Sequence, residues 1–147
     1  MQLPRFQYLA PKDETELAAM LAEHGDQARI LAGGTDLLVQ MKGPGEGARS
    51  LIDIKDVAAL AAIEFKARDG LTVGAAAKLE SVLGTAAVKE SYGGLYQAIA
   101  TMGARQILSM GSLGGNICTD IPQIVSWFAE IIAPCHRRGN EIIFAAA

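Results

Sequence analysis

Thiols, imidazoles and aromatic rings are scarce in this chain: its 147 residues include two Cys, two His, one Trp, three Tyr and four Phe. Two cysteines, Cys118 and Cys135, do not make the disulfide framework of a small secreted domain, so a reducing compartment is predicted. Nor can two thiols alone supply the four thiolates that an iron–sulfur cluster commonly takes. Both are read as small packing residues, and no metal site is predicted. An excess of positive charge is also missing, with 13 Lys and Arg against 16 Asp and Glu and a net charge of −3. That argues against a nucleic-acid surface, and the short cluster His136-Arg137-Arg138 is too small to make one. No apolar run approaches the roughly 20 residues that span a bilayer, and no basic segment leads into an apolar one at the amino terminus. The reading is a soluble, cytoplasmic chain with neither a membrane nor a nucleic-acid partner.

Apolar residues make up 50% of the sequence, enough for a real core in one domain or two small subdomains. The amino-terminal third reads as a βαβ-like unit. Pro4 to Leu9 is extended, and Asp13-Glu14-Thr15-Glu16 caps a helix whose Leu17, Met20, Leu21 and His24 share a face before Gly25 stops it. His24 suits the carboxyl end of that helix in a structural role. Strands are predicted over Ala28 to Ala32 and Ser50 to Ile54, the second reached through the glycine-rich stretch Gly43-Pro44-Gly45-Glu46-Gly47. Ala62 to Lys66, the turn Arg68-Asp69-Gly70 and Leu71 to Ala75 form a hairpin signature, which puts a subdomain boundary near residue 57. Helical spacing follows over Leu79 to Val88, broken at Gly84, and over Leu95, Ile99 and Met102 up to Gly103. The tail holds an apolar helix or buried strand from Ile124 to Ile132 and a strand-like run from Glu141 to Phe144.

Two glycine pairs carry the functional signal. Ala32-Gly33-Gly34-Thr35-Asp36 and Ser112-Leu113-Gly114-Gly115-Asn116 each follow an apolar stretch and carry polar side chains behind the glycines. Such a pair lets backbone N–H groups converge on an anion, because no Cβ blocks the approach. Taken singly, either pair is more commonly a plain turn. Together they suggest two halves of a phosphate cradle. Neither contains the Gly-Lys-Ser or Gly-Lys-Thr of a P-loop, nor the Gly-x-Gly-x-x-Gly of a Rossmann fold.

With Leu31-Ala32-Gly33-Gly34-Thr35-Asp36-Leu37-Leu38, then Ile52-Asp53 and Thr72-Val73-Gly74-Ala75, and finally Ala104-Arg105-Gln106-Ile107 leading to Ser112-Leu113-Gly114-Gly115-Asn116, the sequence resembles the FAD-binding subunit of molybdenum hydroxylases. That family includes xanthine dehydrogenase, carbon monoxide dehydrogenase and 4-hydroxybenzoyl-CoA reductase. The similarity covers about residues 3 to 120, in motif order and spacing. It implies an α+β fold of two subdomains, residues 1–56 with a parallel sheet and 57–147 with a mostly antiparallel one, the second incomplete. FAD is the implied cofactor, with Leu31 to Leu38 as one wall of its diphosphate site and Ser112 to Asn116 as the other. Met102 would be an apolar contact and Asp120 a flavin-side acid. The implied partners are a molybdopterin-binding large subunit and a [2Fe-2S] small subunit.

Asn116-Ile117-Cys118-Thr119-Asp120 is closer to the 4-hydroxybenzoyl-CoA reductase branch, and Pro134-Cys135-His136-Arg137-Arg138-Gly139 is similar to part of its cluster-binding insert. Gln123 stands where that branch has a cysteine. The resemblance implies an oxidoreductase subunit, a flavin electron relay with no catalytic side chain of its own. The alternative is a truncated, non-catalytic remnant that serves as a partner-binding module. An abrupt end after Phe144 leaves apolar side chains around Trp127, Phe128, Ile131 and Ile132 to seek cover, so self-association is expected. Protein purified anaerobically is expected to lack iron and acid-labile sulfide. Stoichiometric iron with a charge-transfer band would mean that another copy or subunit supplies ligands.

Overall fold

The capping signal at residue 13 works as its residue types require. The Asp13 carboxylate accepts from the Glu16 amide at 2.9 Å, while the Glu16 carboxylate reaches back to the Lys12 amide at 2.8 Å. Two donors at the helix start are thereby satisfied. In this computed structural model the described residues are 3–43, 49–102 and 104–118, with the backbone of 135–138 and 141–144. Asp120 and the tail residues Trp127, Phe128, Ile131 and Ile132 lie outside them.

Helix α1 (Glu14–His24) joins β1 (Gln7–Leu9) to a 3-10 turn (Gly25–Gln27) and β2 (Ala28–Leu31); α2 (Leu37–Gln40) then precedes β3 (Ser50–Asp53). The three strands form a parallel sheet in the order β1-β3-β2, with Leu9 and Ile30 both level with Ile52. All four residues of the central strand β3 are buried, as expected of a parallel strand covered on both faces. One face packs Ile52 with Leu17, Ala28, Ile54, Val57, Leu60 and Ala76. The other packs Leu51 with Leu31 and Met41, flanked by Phe6, Leu37 and Leu38. His24 has the structural place expected of it, its Nδ1 lying 3.2 Å from the Oγ of buried Ser50.

After α3 (Ala58–Ala61), the hairpin forms with the predicted turn: β4 (Ile63–Lys66) pairs antiparallel with β5 (Gly70–Gly74), Glu64 opposite Thr72. Two strands near the carboxyl terminus, β6 (Cys135–Arg138) and β7 (Glu141–Phe144), complete an antiparallel sheet in the order β4-β5-β7-β6. Between β5 and those strands the described residues form five helices: α4 (Leu79–Gly84), α5 (Ala86–Ser91), α6 (Gly93–Thr101), α7 (Arg105–Met110) and α8 (Leu113–Ile117). Their apolar faces bury Leu79, Val82, Val88, Leu95, Ile99 and Leu113 with Leu71 and Val73 of β5. The architecture is α+β, one parallel and one antiparallel sheet.

Two local expectations change, and one helix goes beyond them. The break in the 79–88 helix falls at Thr85, whose hydroxyl donates to the Ser81 carbonyl, and Gly84 is the last residue of α4. Residues 105–110 form the helix α7, for which the sequence carries no start signal beyond Ala104. The second glycine pair is the first turn of helix α8, because the Ser112 hydroxyl caps it by accepting from the Gly115 amide at 3.1 Å.

Ile30 and Ile52 sit side by side in register, yet Ile52 is 0% exposed and Ile30 is 50% exposed. Ile52→Ala is expected to cost about 2–5 kcal/mol in urea unfolding, and Ile30→Ala well under half of that. Equal losses would mean that the sheet is covered beyond β2.

Candidate FAD site at the carboxyl ends of the strands

The carboxyl ends of β2, β3 and β5 open on one cavity of about 270 Å³, lined by Ala32, Gly33, Lys55, Ala61, Ala76, Lys78, Ser81 and Met110. In open α/β sheets this is where ligands collect. The volume falls just short of the roughly 300–1,000 Å³ of a pocket enclosing a whole small ligand, so it suits one segment of a dinucleotide.

The first glycine pair forms one rim. Gly34 has φ +73°, and a Cβ there would lie 2.8 Å from Leu31 Cδ1 and 3.1 Å from Leu38 Cδ1, so both conformation and packing require glycine. Leu31, Leu37 and Leu38 anchor this turn from below as part of the core. Among the described residues, no acceptor takes the amides of Gly33, Gly34, Thr35, Asp36 or Leu37, while the Leu38 amide returns to the Gly34 carbonyl. Successive open amides of this kind can receive an anion. The Thr35 hydroxyl donates to Asp36 Oδ2 at 3.1 Å.

The second pair differs. Its amides are already engaged: Leu113 with the Ala77 carbonyl, Gly114 with that of Ala75, Gly115 with the Ser112 hydroxyl and Asn116 with the Ser112 carbonyl. The buried Asn116 amide donates to the Ser112 carbonyl. Leu113 is core, and Met102 packs against the same core from the end of α6. The structure therefore brings the two glycine segments close together but, among the described residues, leaves only the first with open backbone donors. Gly33 makes that approach possible, since a Cβ on it would fall 2.1 Å from the Met110 carbonyl oxygen.

Sequence reasoning passed over Lys55 and Lys78, and also the group beneath the turn. Asp53, nearly fully buried at the end of β3, accepts from the Tyr8 hydroxyl and from Lys55 Nζ. Lys55 also donates from its amide to Asp53 at 3.0 Å and from Nζ to the Ala32 carbonyl at 3.3 Å, tying the strand end to the turn. Burial alone would raise the Asp53 carboxyl, but the hydrogen bonds from Lys55 and Tyr8 outweigh it and hold the group below the usual carboxylate range. The Tyr8 hydroxyl is raised, chiefly by its bond to Asp53. Only the Ile52-Asp53 pair itself was visible as a motif.

Residues 4–135 match the family described as the FAD binding domain in molybdopterin dehydrogenase. The chain belongs to that family. FAD is the family's cofactor. The medium chain of carbon monoxide dehydrogenase from Hydrogenophaga pseudoflava is 33% identical over 81% of this chain and 41% of its own length. The β subunit of caffeine dehydrogenase from Pseudomonas sp. (strain CBB1) is 26% identical over 97% of this chain and 50% of its own. The solved structure of the Hydrogenophaga pseudoflava carbon monoxide dehydrogenase lacking the molybdenum-pyranopterin moiety superposes with a TM-score of 0.75 at 32% identity, over 80% of this chain and 40% of that one. The chain thus spans about half the length, or less, of these relatives. Among the described residues no helix is long and apolar enough to cross a membrane, and no group of metal-ligating side chains assembles.

The pH dependence of the Asp53 network follows from the two shifts. A lowered carboxylate contributes stability above its unfolded value near 4, and the contribution is lost as pH falls through the folded value. A raised phenol contributes below about 10, and that contribution is lost as pH climbs through its folded value. Asp53→Asn is expected to cost about 1–3 kcal/mol at pH 7. The gap from the parent chain, followed by urea unfolding against pH, should close on acidification; a gap unchanged down to pH 2 would show that the charge plays no part.

Proposed function

We propose that this chain is the FAD-binding part of an electron-transfer subunit of a molybdenum-containing dehydrogenase or hydroxylase. The observation that carries the reading is the run of open amides from Gly33 to Leu37 beside a cavity at the strand ends, in a chain that matches the family over residues 4–135. The residues fit the cofactor: a diphosphate needs donors that approach closely without side-chain bulk, and Gly33 and Gly34 supply them. Thr35 and Asp36 stand next to those donors and suit the sugar hydroxyls.

On this reading, Ala32 to Asp36 hold the diphosphate, Leu31, Leu37 and Leu38 fix the turn, and Met102, Ser112, Leu113, Gly114, Gly115, Asn116 and Asp120 complete the far side. The work divides between two subdomains, 1–56 and 57–147. Bound FAD would supply the redox chemistry, accepting electrons singly or in pairs. The protein's task is to hold and orient it, and no side chain is assigned a proton. The proposed partners are a molybdopterin-binding large subunit and a [2Fe-2S] small subunit, in the cytoplasm. Kinship to 4-hydroxybenzoyl-CoA reductase is the finest part of the proposal and rests only on the Asn116 to Asp120 and Pro134 to Gly139 sequences.

Titration of FAD into the purified chain, read as quenching of flavin fluorescence, tests the reading. The parent chain should bind. Gly34→Val should abolish binding and also destabilise the fold, because its side chain would meet Leu31 and Leu38. Gly115 is exposed, and among the described residues a Cβ there meets the Ser112 hydroxyl, at 2.9 Å, so Gly115→Val should stay folded and weaken FAD at least tenfold. A folded parent chain that ignores FAD would overturn the proposal; normal affinity in Gly115→Val would remove α8 from the site.

A further inference from the structure

Two lysines line the cavity, and their electrostatic situations differ. Lys55 is neutralised by Asp53, and its remaining hydrogen-bonding reach goes to the Ala32 carbonyl. Lys78 projects from the link between β5 and α4 and is exposed; among the described residues no carboxylate lies within ion-pair distance of it. Its backbone is fixed on both sides, because Leu79 donates to the Gly111 carbonyl at 3.0 Å and Leu113 donates to the Ala77 carbonyl at 3.0 Å. A lysine on a rigid backbone, with no ion-pair partner among the described residues, thus lines a cavity whose lining also includes Ala32 and Gly33, the residues that lead into open amides. In a chain with a net charge of −3, that combination creates a local site for an anion.

We infer that Lys78 is the side-chain counter-charge for the diphosphate of the bound dinucleotide, opposing the Gly33 to Leu37 amides across the cavity. The inference rests on the FAD reading above and adds to it a cation from a segment outside both glycine motifs. The amides supply directed hydrogen bonds from one rim. Lys78 supplies a full positive charge from the other, and Ser81, one turn along α4, adds a hydroxyl within the same lining. Lys55 does not compete for this role, since it is held by Asp53.

The test is binding by the full chain of FAD, ADP and riboflavin, measured by fluorescence for the flavins and by calorimetry for ADP, at two salt concentrations. Lys78→Met is compared with the parent and with Lys89→Met, a charge control on α5 away from the cavity. Lys78→Met should weaken FAD and ADP about ten- to hundredfold, flatten their salt dependence, and leave riboflavin, which has no phosphate, unchanged. Lys89→Met should behave as the parent. If the parent binds FAD and Lys78→Met binds it equally well with the same salt dependence, Lys78 has no such role and the FAD reading stands. If the parent binds ADP but not FAD and Lys78→Met loses ADP, the anion site stands and the FAD reading falls. If the parent binds neither, both fall.

Discussion

The close approach of backbone to backbone, of the turn after β2 to the end of α7 and of β5 to α3, is the constraint on which the site depends. A Cβ on Gly33 would fall 2.1 Å from the Met110 carbonyl oxygen, and one on Gly74 would fall 2.2 Å from that of Leu60. No relaxation of a side chain could absorb either contact, because the obstacle in each case is main chain. Hydrogen bonds lock the same region: Gly74 donates to Ala62, Ala76 to Leu60 and Leu79 to Gly111. The cavity walls are therefore set by a backbone frame, and the side chains decorate it. A frame of this kind keeps donors in place before a ligand arrives, which lowers the ordering cost of binding.

Much of this was legible in the sequence where local chemistry decides the outcome. The Asp13 cap, the Gly25 stop and the hairpin at Arg68-Asp69-Gly70 depend on neighbours within a few residues, and they form as read. The glycine pair at 114 and 115 was harder. Glycine is a poor helix former, so the segment looks like a turn, but the Ser112 cap and the anchorage of Leu113 to Ala77 and Gly114 to Ala75 make it the start of a helix. Tertiary contacts overrode propensity there. Helix α7 escaped notice for a related reason, since none of its residues is fully buried and no apolar period marks it.

Charge was the least legible property. In linear order Lys55 and Lys78 look alike, each following a strand and each with an acid two residues away, Asp53 and Glu80. Their difference arises in space, because Asp53 is buried and binds Lys55, whereas Glu80 is exposed and Lys78 has no ion pair among the described residues. The same holds for Tyr8, 45 residues from the carboxylate it donates to. A buried acid surrounded by donors is anionic and rigid, and here it stiffens the exit of β3 next to the turn that follows β2.

The two glycine motifs look alike in sequence yet have unequal roles in the fold. Around Gly34 glycine is required by a positive φ and by leucines packed beneath it, and the amides that follow remain available. At Gly114 glycine is required by the proximity of Ala75, to whose backbone its own amide is already bonded. An anion held between them would therefore draw its directed hydrogen bonds from one rim only. A binding site with donors on one rim is incomplete for a doubly charged group, since half of the ligand's charge would face a surface whose dipoles are spent. Lys78, whose backbone bridges Ser112 at the head of the second motif and which lines the cavity, is the cation placed to supply the missing charge.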